Sequence, residues 1–159
     1  MAVGKGRTAR RLSALSGRFA IDTDDLIESF SKKKIRKIFS EHGEQAFRKL
    51  EQETANWIER SVTGTIVSTG GGFFGVHNLQ KLGTVIYLHA DLESIIDSVK
   101  RHPNSQKKIK KRPLLQNFQK AAKLYEKRVP LYRSAAHHEV TVQGRDLSET
   151  AIEILQLCS

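Results

Sequence analysis

Residues 65–72 read Thr-Ile-Val-Ser-Thr-Gly-Gly-Gly, a short apolar run that leads directly into three consecutive glycines. The run has the length and the β-branched content of a buried strand. Further apolar runs along the chain alternate with helical patterns, as in a domain whose parallel sheet carries helices on its faces. Ligands bind beyond the carboxyl ends of the strands in such sheets, so the glycines mark the expected position of a site.

The rest of the chain continues this alternation on both sides. Towards the N-terminus, a short helix is predicted after Gly4-Lys5-Gly6, and a strand over 19–21 ends at Asp22-Thr23-Asp24. A helical region over about 26–60 is broken at His42-Gly43. Towards the C-terminus the pattern predicts a strand over 84–88, a helix over 92–100, a helix from about 116 to 128 that stops before Pro130, a strand over 140–142 and a last helix capped by Ser148.

The composition indicates one globular domain in a reducing compartment. A chain of 159 residues can bury a core without disulfides or metals, and its one cysteine, Cys158, cannot form an internal pair. No apolar run approaches the ~20 residues that cross a bilayer, and the charged N-terminus lacks the apolar stretch of a secretory signal. We therefore expect a single domain over 1–159, cytoplasmic and without a membrane partner.

The formal net charge of +10 requires an anionic partner or another explanation. Basic clusters lie over 5–18, 32–37 and 107–112. Such a surface suits a phosphorylated small molecule, an anionic membrane or nucleic acid. Aromatic residues make up only 7% of the chain and do not interleave with the basic ones, so nucleic acid is the lesser alternative.

The stretch Gly4-Lys5-Gly6-Arg7-Thr8 is similar to the end of a Walker A loop, in which backbone N–H groups and a lysine surround phosphates at the start of a helix. Two features depart from that pattern. Its first glycine would fall before Met1, and Gly6 stands where a serine or threonine hydroxyl normally binds Mg²⁺. The alternative for this stretch is a flexible, basic chain end.

Asp22 and Asp24 lie on one side of a predicted strand end, with Thr23 pointing the other way. One carboxylate could hold Mg²⁺ through water while the other accepts a proton from a substrate hydroxyl. The alternative is that Thr23 or Asp24 simply caps the next helix. The glycines at 70–72 would let the backbone approach a ligand closely, whereas a tight turn needs only one or two glycines.

Three arginines are further candidates. Arg112 ends a polar, basic stretch that has no periodicity, and such a loop can close over a transferring phosphoryl group, although most charge runs are simply solvated. Arg48 and Arg128 fall in amphipathic helices, where each one alone would be interpreted as a surface residue.

Together these stretches resemble the shikimate kinase family over essentially the whole chain, in the style of its Campylobacter and Helicobacter members. The matching segments are Gly4-Lys5, residues 19–24, residues 38–51 (Ile-Phe-x-x-x-Gly-Glu-x-x-Phe-Arg-x-x-Glu), residues 68–72, residues 83–88, residues 111–115 and residues 127–132. The resemblance implies an α/β fold of the three-layer α/β/α P-loop kinase type, with a five-stranded parallel sheet in the order 2-3-1-4-5. The family's first, central strand has no counterpart here, so we expect an in-frame apolar run ahead of Met1 in the coding sequence.

The resemblance also implies an activity and roles for residues. The family transfers the γ-phosphoryl group of ATP to the 3-hydroxyl of shikimate, on the route to chorismate and the aromatic amino acids. The implied ATP-phosphate site consists of Val3, Gly4, Lys5, Gly6, Arg7 and Thr8, with Arg112 closing on a lid over about 102–115. Asp22 would support Mg²⁺ through water, and Asp24 would hold shikimate hydroxyls and favour deprotonation of the attacking one. The implied contacts of the shikimate carboxylate and ring are Arg48, Arg128 and the backbone of Gly70, Gly71 and Gly72.

Adenine would lie against the loop at 144–147, and the position of the family's adenine-stacking arginine falls on Ser98, with Lys100 or Arg101 as candidate substitutes. A monomer is expected. Two alternatives stay open: a related P-loop kinase for gluconate or a nucleotide, and a truncated, inactive remnant that binds ligand or nucleic acid through its basic face.

Overall fold

The computed structural model describes residues 3–100 and 118–158, with the side chains of 98–100 and 118 excepted. The helices are α1 (Lys5–Ser16), α2 (Thr23–Ser31), α3 (Ile35–Ser61), α4 (Leu92–Lys100), α5 (Phe118–Ala135) and α6 (Leu147–Leu157). The strands are β1 (Ala20–Asp22), β2 (Ile66–Ser68), β3 (Ile86–His89) and β4 (His138–Thr141). Two single 3₁₀ turns, Phe73–Gly75 and Leu79–Lys81, lie between β2 and β3.

The described strands form two parallel pairs. β1 pairs with β2, with Ala20 opposite Ile66 and Asp22 opposite Ser68. β3 pairs with β4, with Ile86 opposite His138. Each pair is a two-stranded sheet of its own, and parallel strands joined by helices confirm the predicted α/β class.

Two apolar clusters cover opposite faces of the strands. Ile66 and Val67 are consecutive in β2 and therefore point to opposite faces. On one face Ile66 packs with Leu12 of α1 and Ile154 of α6. On the other, Val67 packs against a cluster that includes Ile58 of α3 and Phe73. Helices thus lie on both faces of the strands, which is the predicted three-layer arrangement.

Helix α1 owes its limits to two glycines. Gly4 precedes it with φ 93° and Gly17 follows it with φ 69°, left-handed conformations that glycine adopts without steric cost. Between them Thr8 and Leu12, spaced by four residues, are buried on one face of the helix. The glycine-limited helix therefore starts at Lys5, at the predicted phosphate loop.

The long helical region is interrupted at two residues, at Gly43 as predicted and also at Lys32. Gly43 has φ 78° and ψ 178° inside α3, which confirms the break at His42-Gly43. A second break separates α2 from α3, where Lys32 takes a left-handed φ of 53°. After the kink, the buried residues Phe47, Glu51, Ala55 and Ile58 form one stripe along α3.

Several predicted element limits are wrong; the strands predicted over 19–21 and 84–88, for example, are Ala20–Asp22 and Ile86–His89. Helix α5 does not stop before Pro130 but continues to Ala135. The tertiary contacts of its last turns outweigh the lost backbone bond, because Val129 is buried and Arg133 pairs with Glu139. Asp146, not Ser148, caps the last helix by accepting a hydrogen bond from the Ser148 N–H. The last strand covers 138–141 rather than 140–142, because its pairing partner β3 sets the register.

We predict that Leu12→Ala lowers the free energy of unfolding by about 2–5 kcal/mol, because Leu12 is 7% exposed in the cluster that joins α1 to both strand pairs. The matched control is Leu15→Ala in the same helix, where the side chain is 40% exposed. Its cost should stay below about 1 kcal/mol. Urea denaturation of both variants measures the difference, and equal costs would contradict this account of the core.

Candidate active site

The paired ends of β1 and β2 are joined by the side chain of Asp22. Its Oδ1 accepts a hydrogen bond from the Asp24 N–H at 2.9 Å, and its Oδ2 accepts one from the Ser68 hydroxyl at 2.8 Å. The first bond makes Asp22 the cap of α2. The alternative that Thr23 or Asp24 caps this helix is wrong for both residues, because Asp22 occupies the cap position.

Thr23 fixes the glycine loop to the start of α2. Its side chain is fully buried, and its Oγ1 accepts a hydrogen bond from the Gly70 N–H at 3.0 Å. Asp24 therefore lies directly against the loop: a Cβ placed on Gly70 would come within 2.6 Å of Asp24 Oδ1. The two aspartates and the glycines converge, as the sequence predicted for loops at strand ends.

A side chain would meet a neighbour at each of the three glycines, closely at Gly70 and Gly72 and less closely at Gly71. None of them has a positive φ, so their conformation alone would accept other residues. A Cβ on Gly71 would lie 3.3 Å from Arg128 Nη1, and one on Gly72 would collide with the guanidinium of Arg48. One side chain from each of α2, α5 and α3 thus lies against one of three successive glycines. These side chains are Asp24, Arg128 and Arg48.

Arg48 is held by two carboxylates of its own helix. Its Nη1 donates to Glu51 Oε2 at 2.5 Å, and its Nη2 donates to Glu44 Oε1 at 2.7 Å. Glu51 is 1% exposed, whereas Glu44 is mostly in solvent. The guanidinium is therefore fixed in one orientation against Gly72, unlike a freely solvated surface arginine.

Arg128 reaches the same place from α5. It lies against Gly71 while Arg48 lies against Gly72, and consecutive Cα atoms are only 3.8 Å apart. One turn further along α5, the Tyr132 hydroxyl donates to the Gly71 carbonyl at 2.7 Å and holds the helix on the loop. The structure therefore brings the two predicted arginines together.

The pKa of Asp24 is raised to about 6. Burial is the largest cause, and the neighbouring Asp22 carboxylate adds to it, whereas Lys5 opposes the rise. Burial also raises the pKa of Glu51, although its bond to Arg48 lowers it. A carboxylate with a pKa near 6 is suited to accept a proton near neutral pH.

A cavity of about 340 Å³ opens at the start of α1. The residues that line it come from the predicted phosphate loop (Val3, Gly4, Arg7, Thr8), from Ala90 just after β3, from Ser94 and Ile95 of α4, and from 142–147 and Thr150. The predicted adenine loop at 144–147 therefore faces the predicted phosphate loop. Thr8 is buried and its hydroxyl donates to the Gly4 carbonyl at 3.4 Å, within the loop itself.

Several predicted groups lie outside the described part of the chain. These are Arg112, the lid over about 102–115, Arg101 and the side chains of Ser98 and Lys100. In the described ranges no group of three or more His, Cys, Asp or Glu side chains is placed to hold a metal ion. Among the same residues, no helix is both long enough and apolar enough to cross a membrane.

Parallel strands that end at acidic and glycine-rich loops, next to a helix that begins at a Gly-Lys loop, are the arrangement of the P-loop kinases that act on small molecules. A family model described as shikimate kinase matches residues 1–159. The chain therefore belongs to the shikimate kinase family, as its motifs predicted.

The similar proteins and a similar solved structure are also described as shikimate kinases. The chain is 34% identical to the shikimate kinase of Helicobacter hepaticus, over 98% of its own length and 90% of that protein. It is 32% identical to the shikimate kinase of Dictyoglomus turgidum, over 98% and 91%. A solved structure, shikimate kinase from Acinetobacter baumannii in complex with shikimate, superimposes with a TM-score of 0.84 at 32% identity, covering 99% of this chain and 87% of that one.

Sequence reasoning gave no role to Glu51 and Tyr132, which hold Arg48 and Gly71 in place. A signal for Glu51 was present, because a carboxylate falls on the stripe of α3 that otherwise carries Phe47, Ala55 and Ile58. A charge on a buried face needs a partner, and Arg48 lies one turn away. Tyr132 had no comparable signal.

We predict that Gly72→Ala raises the KM for shikimate about tenfold or more with little change in the KM for ATP, because a Cβ there displaces Arg48. Gly72 has φ −108° and ψ −7°, which alanine tolerates, so the effect is steric. Gly75→Ala is the matched control, since nothing lies within 4 Å of a Cβ at that position. Steady-state kinetics that do not distinguish the two variants would contradict the close contact.

We predict that Asp24→Asn raises the melting temperature at pH 7.5 and that the gain disappears towards pH 3.5. A folded pKa of about 6, above the ordinary 3.8, means that ionised Asp24 opposes folding at neutral pH. Stability therefore falls as pH rises from about 4 to 6, and asparagine removes that loss. Asp25→Asn, one position along in the same helix turn, is the charge-matched control. A gain that is independent of pH would contradict the burial of the Asp24 charge.

Proposed function

We propose that this chain transfers the γ-phosphoryl group of ATP to the 3-hydroxyl of shikimate, with residues 70–72 at the centre of the acceptor site. The observation that carries the proposal is the convergence of one carboxylate and two guanidinium groups on three successive glycines. A hydroxylated ring with a carboxylate offers the complementary groups. Neither gluconate nor a nucleotide is favoured by a specific contact in the described chain.

The two arginines would bind the carboxylate of shikimate. Arg48 and Arg128 lie side by side at Gly72 and Gly71, and planar guanidinium groups bind carboxylates in a two-pronged manner. Arg48 is oriented before the substrate arrives because Glu51 and Glu44 hold it. Preorganisation of this kind reduces the entropy lost on binding.

Asp24 would act at the opposite end of the ring. It lies against Gly70, and its raised pKa of about 6 makes it a suitable base. The 3-hydroxyl oxygen attacks the γ-phosphorus while its proton passes to Asp24. The bond from the γ-phosphorus to the bridging oxygen breaks, and ADP leaves with that oxygen. Backbone N–H groups of the glycine loop would orient the ring.

ATP would occupy the cavity at the start of α1. Lys5 and the first-turn N–H groups of α1 would bind its phosphates, with Val3, Gly4, Arg7 and Thr8 around them and adenine towards 144–147. Arg112, in the proposed lid, would close on the phosphates from outside the described residues. The cytoplasmic location and the monomeric state remain predictions from the sequence.

The residues present offer Mg²⁺ the carboxylates that it prefers, but they do not offer the hydroxyl that the family provides at position 6. Asp22 and Asp24 provide carboxylate oxygens, and Mg²⁺ usually takes one or two carboxylates, several waters and substrate phosphates. Gly6 provides no hydroxyl where the family has one. Asp22 would hold the ion through water, since both of its oxygens already accept protein hydrogen bonds. When bound, the ion would neutralise charge on the transferring phosphoryl group.

We predict that Arg48→Lys raises the KM for shikimate about 10- to 100-fold and leaves the KM for ATP within about twofold. Lysine keeps a positive charge beside Glu51 but loses the two-pronged donor, which costs roughly 1.5–3 kcal/mol of binding. The matched control is Arg36→Lys, an exposed arginine of the same helix, which should not change either constant.

A coupled assay of ADP release, with shikimate and gluconate as alternative acceptors, tests both the function and this role. Turnover with shikimate and none with gluconate is expected. Gluconate-dependent turnover would replace the proposed substrate. Shikimate turnover with an unaltered KM in Arg48→Lys would refute only the carboxylate role.

A further inference from the structure

The first turn of α1 has no side chain where phosphate loops of this kind carry a metal-binding one. Lys5 begins the helix and Gly6 follows it, whereas the common pattern has serine or threonine after the lysine, with its hydroxyl on Mg²⁺. Gly6 does not have a positive φ, so its backbone conformation does not require glycine. The consequence of this glycine is therefore to be sought in the groups around it.

The side chain of Arg10 lies over Gly6. Four residues separate the two, and helical side chains point back towards the N-terminus, so both belong to one face of α1. A Cβ placed on Gly6 would lie 3.7 Å from Arg10 Nη1. Among the described residues, its chain neighbours and its own helix backbone aside, it would meet no other heavy atom within 4 Å. The guanidinium therefore lies beside the position from which a serine hydroxyl would reach the ion.

Arg10 is available to bind an anion. Its side chain is exposed, and it forms no ion pair or hydrogen bond with another residue in the described part of the chain. The next residue, Arg11, is turned the other way and donates from Nε to the Ser148 hydroxyl at 3.2 Å. Arg10 is thus a cation near the start of α1 that no described carboxylate neutralises.

The charges at this place favour a phosphate group over a divalent cation. The N-terminal end of α1 and Lys5 already attract anions. An ion beside Gly6 would lack one protein ligand and would be repelled by the guanidinium of Arg10. A phosphate oxygen at the same place would accept a charge-assisted hydrogen bond from that guanidinium. The physical balance therefore points to direct contact between Arg10 and the nucleotide.

We propose that Arg10 binds the β-phosphate of ATP and ADP directly, and that this contact makes nucleotide binding depend little on Mg²⁺. The inference rests on the ATP site proposed above and concerns the binding of the nucleotide, not the transfer step. It also gives Gly6 a function, because a position without a side chain leaves the guanidinium an open path to the phosphates.

Calorimetric titration of the full chain with ADP, once with excess Mg²⁺ and once with EDTA, tests the proposal. In the unaltered chain, removal of Mg²⁺ should weaken ADP binding by less than about threefold. In EDTA, Arg10→Gln should weaken it about tenfold or more, because a charge-assisted hydrogen bond is lost. The matched control is Arg11→Gln, which removes the same charge from the same helix and should stay within about twofold. An Arg10→Gln variant that binds ADP in EDTA as tightly as this control would overturn the proposal.

Gly6→Ser is the converse test. Serine restores the hydroxyl, and the contact of 3.7 Å leaves room for its Cβ. The ratio of ADP affinities with and without Mg²⁺ should therefore rise about fivefold or more. An unchanged ratio would contradict the role given to Gly6.

These titrations contain no acceptor, so a failure of shikimate transfer would leave them unaffected. An unaltered chain that binds no ADP under either condition would refute the ATP site and this inference together.

Discussion

The two strand pairs share no backbone hydrogen bond within the described chain, and this constraint governs how the site is assembled. Their relative position depends on side-chain packing, chiefly of Leu12 against Ile66 from one pair and Ile86 from the other. Apolar packing is strong but not directional, whereas hydrogen bonds fix register. The relation between the two halves of the site therefore depends on how well α1 packs onto both pairs.

The half that contains the proposed acceptor site is fixed in a different way, by polar contacts. Ser68 bonds Asp22 across the strand ends, and Gly70 bonds Thr23 at the start of α2. These side chains are largely buried, where an unmet hydrogen bond is costly, so the contacts hold the loop firmly. The carboxylates gathered there, Asp24 and Glu51, would repel one another without the cations beside them. Lys5 and Arg48 supply that compensation, and they are also the groups that the proposed substrates need.

Sequence patterns predicted the α/β class, the helix over 92–100 and the convergence of the aspartates with the glycines at 70–72, because alternation and glycines are local signals. They failed where a distant contact decides the outcome. Helix α5 passes through Pro130 because Tyr132 and Arg133 are anchored to Gly71 and Glu139. The convergence of Arg48 with Arg128 depends on tertiary packing of two helices, which periodicity cannot give; only the family resemblance pointed to it.

The glycine loop shows why residues distant in sequence must act together. Asp24, Arg48 and Arg128 come from three helices. Asp24 and Arg48 occupy the volume that a Cβ would need on Gly70 and Gly72, and Arg128 would be in tight contact with a Cβ on Gly71. The loop is therefore shaped by its neighbours and not by an unusual backbone conformation of its own. A shift of any of the three helices would move one wall of the proposed acceptor site while leaving the others in place. Arg48 is fixed by Glu51 on its own helix, whereas the contacts of the described residues include no such bond for Arg128. The position of α5 therefore sets how closely the two guanidinium groups converge. The Tyr132 bond to Gly71 limits that freedom, and so the proposed acceptor site depends on a residue that touches no proposed substrate group.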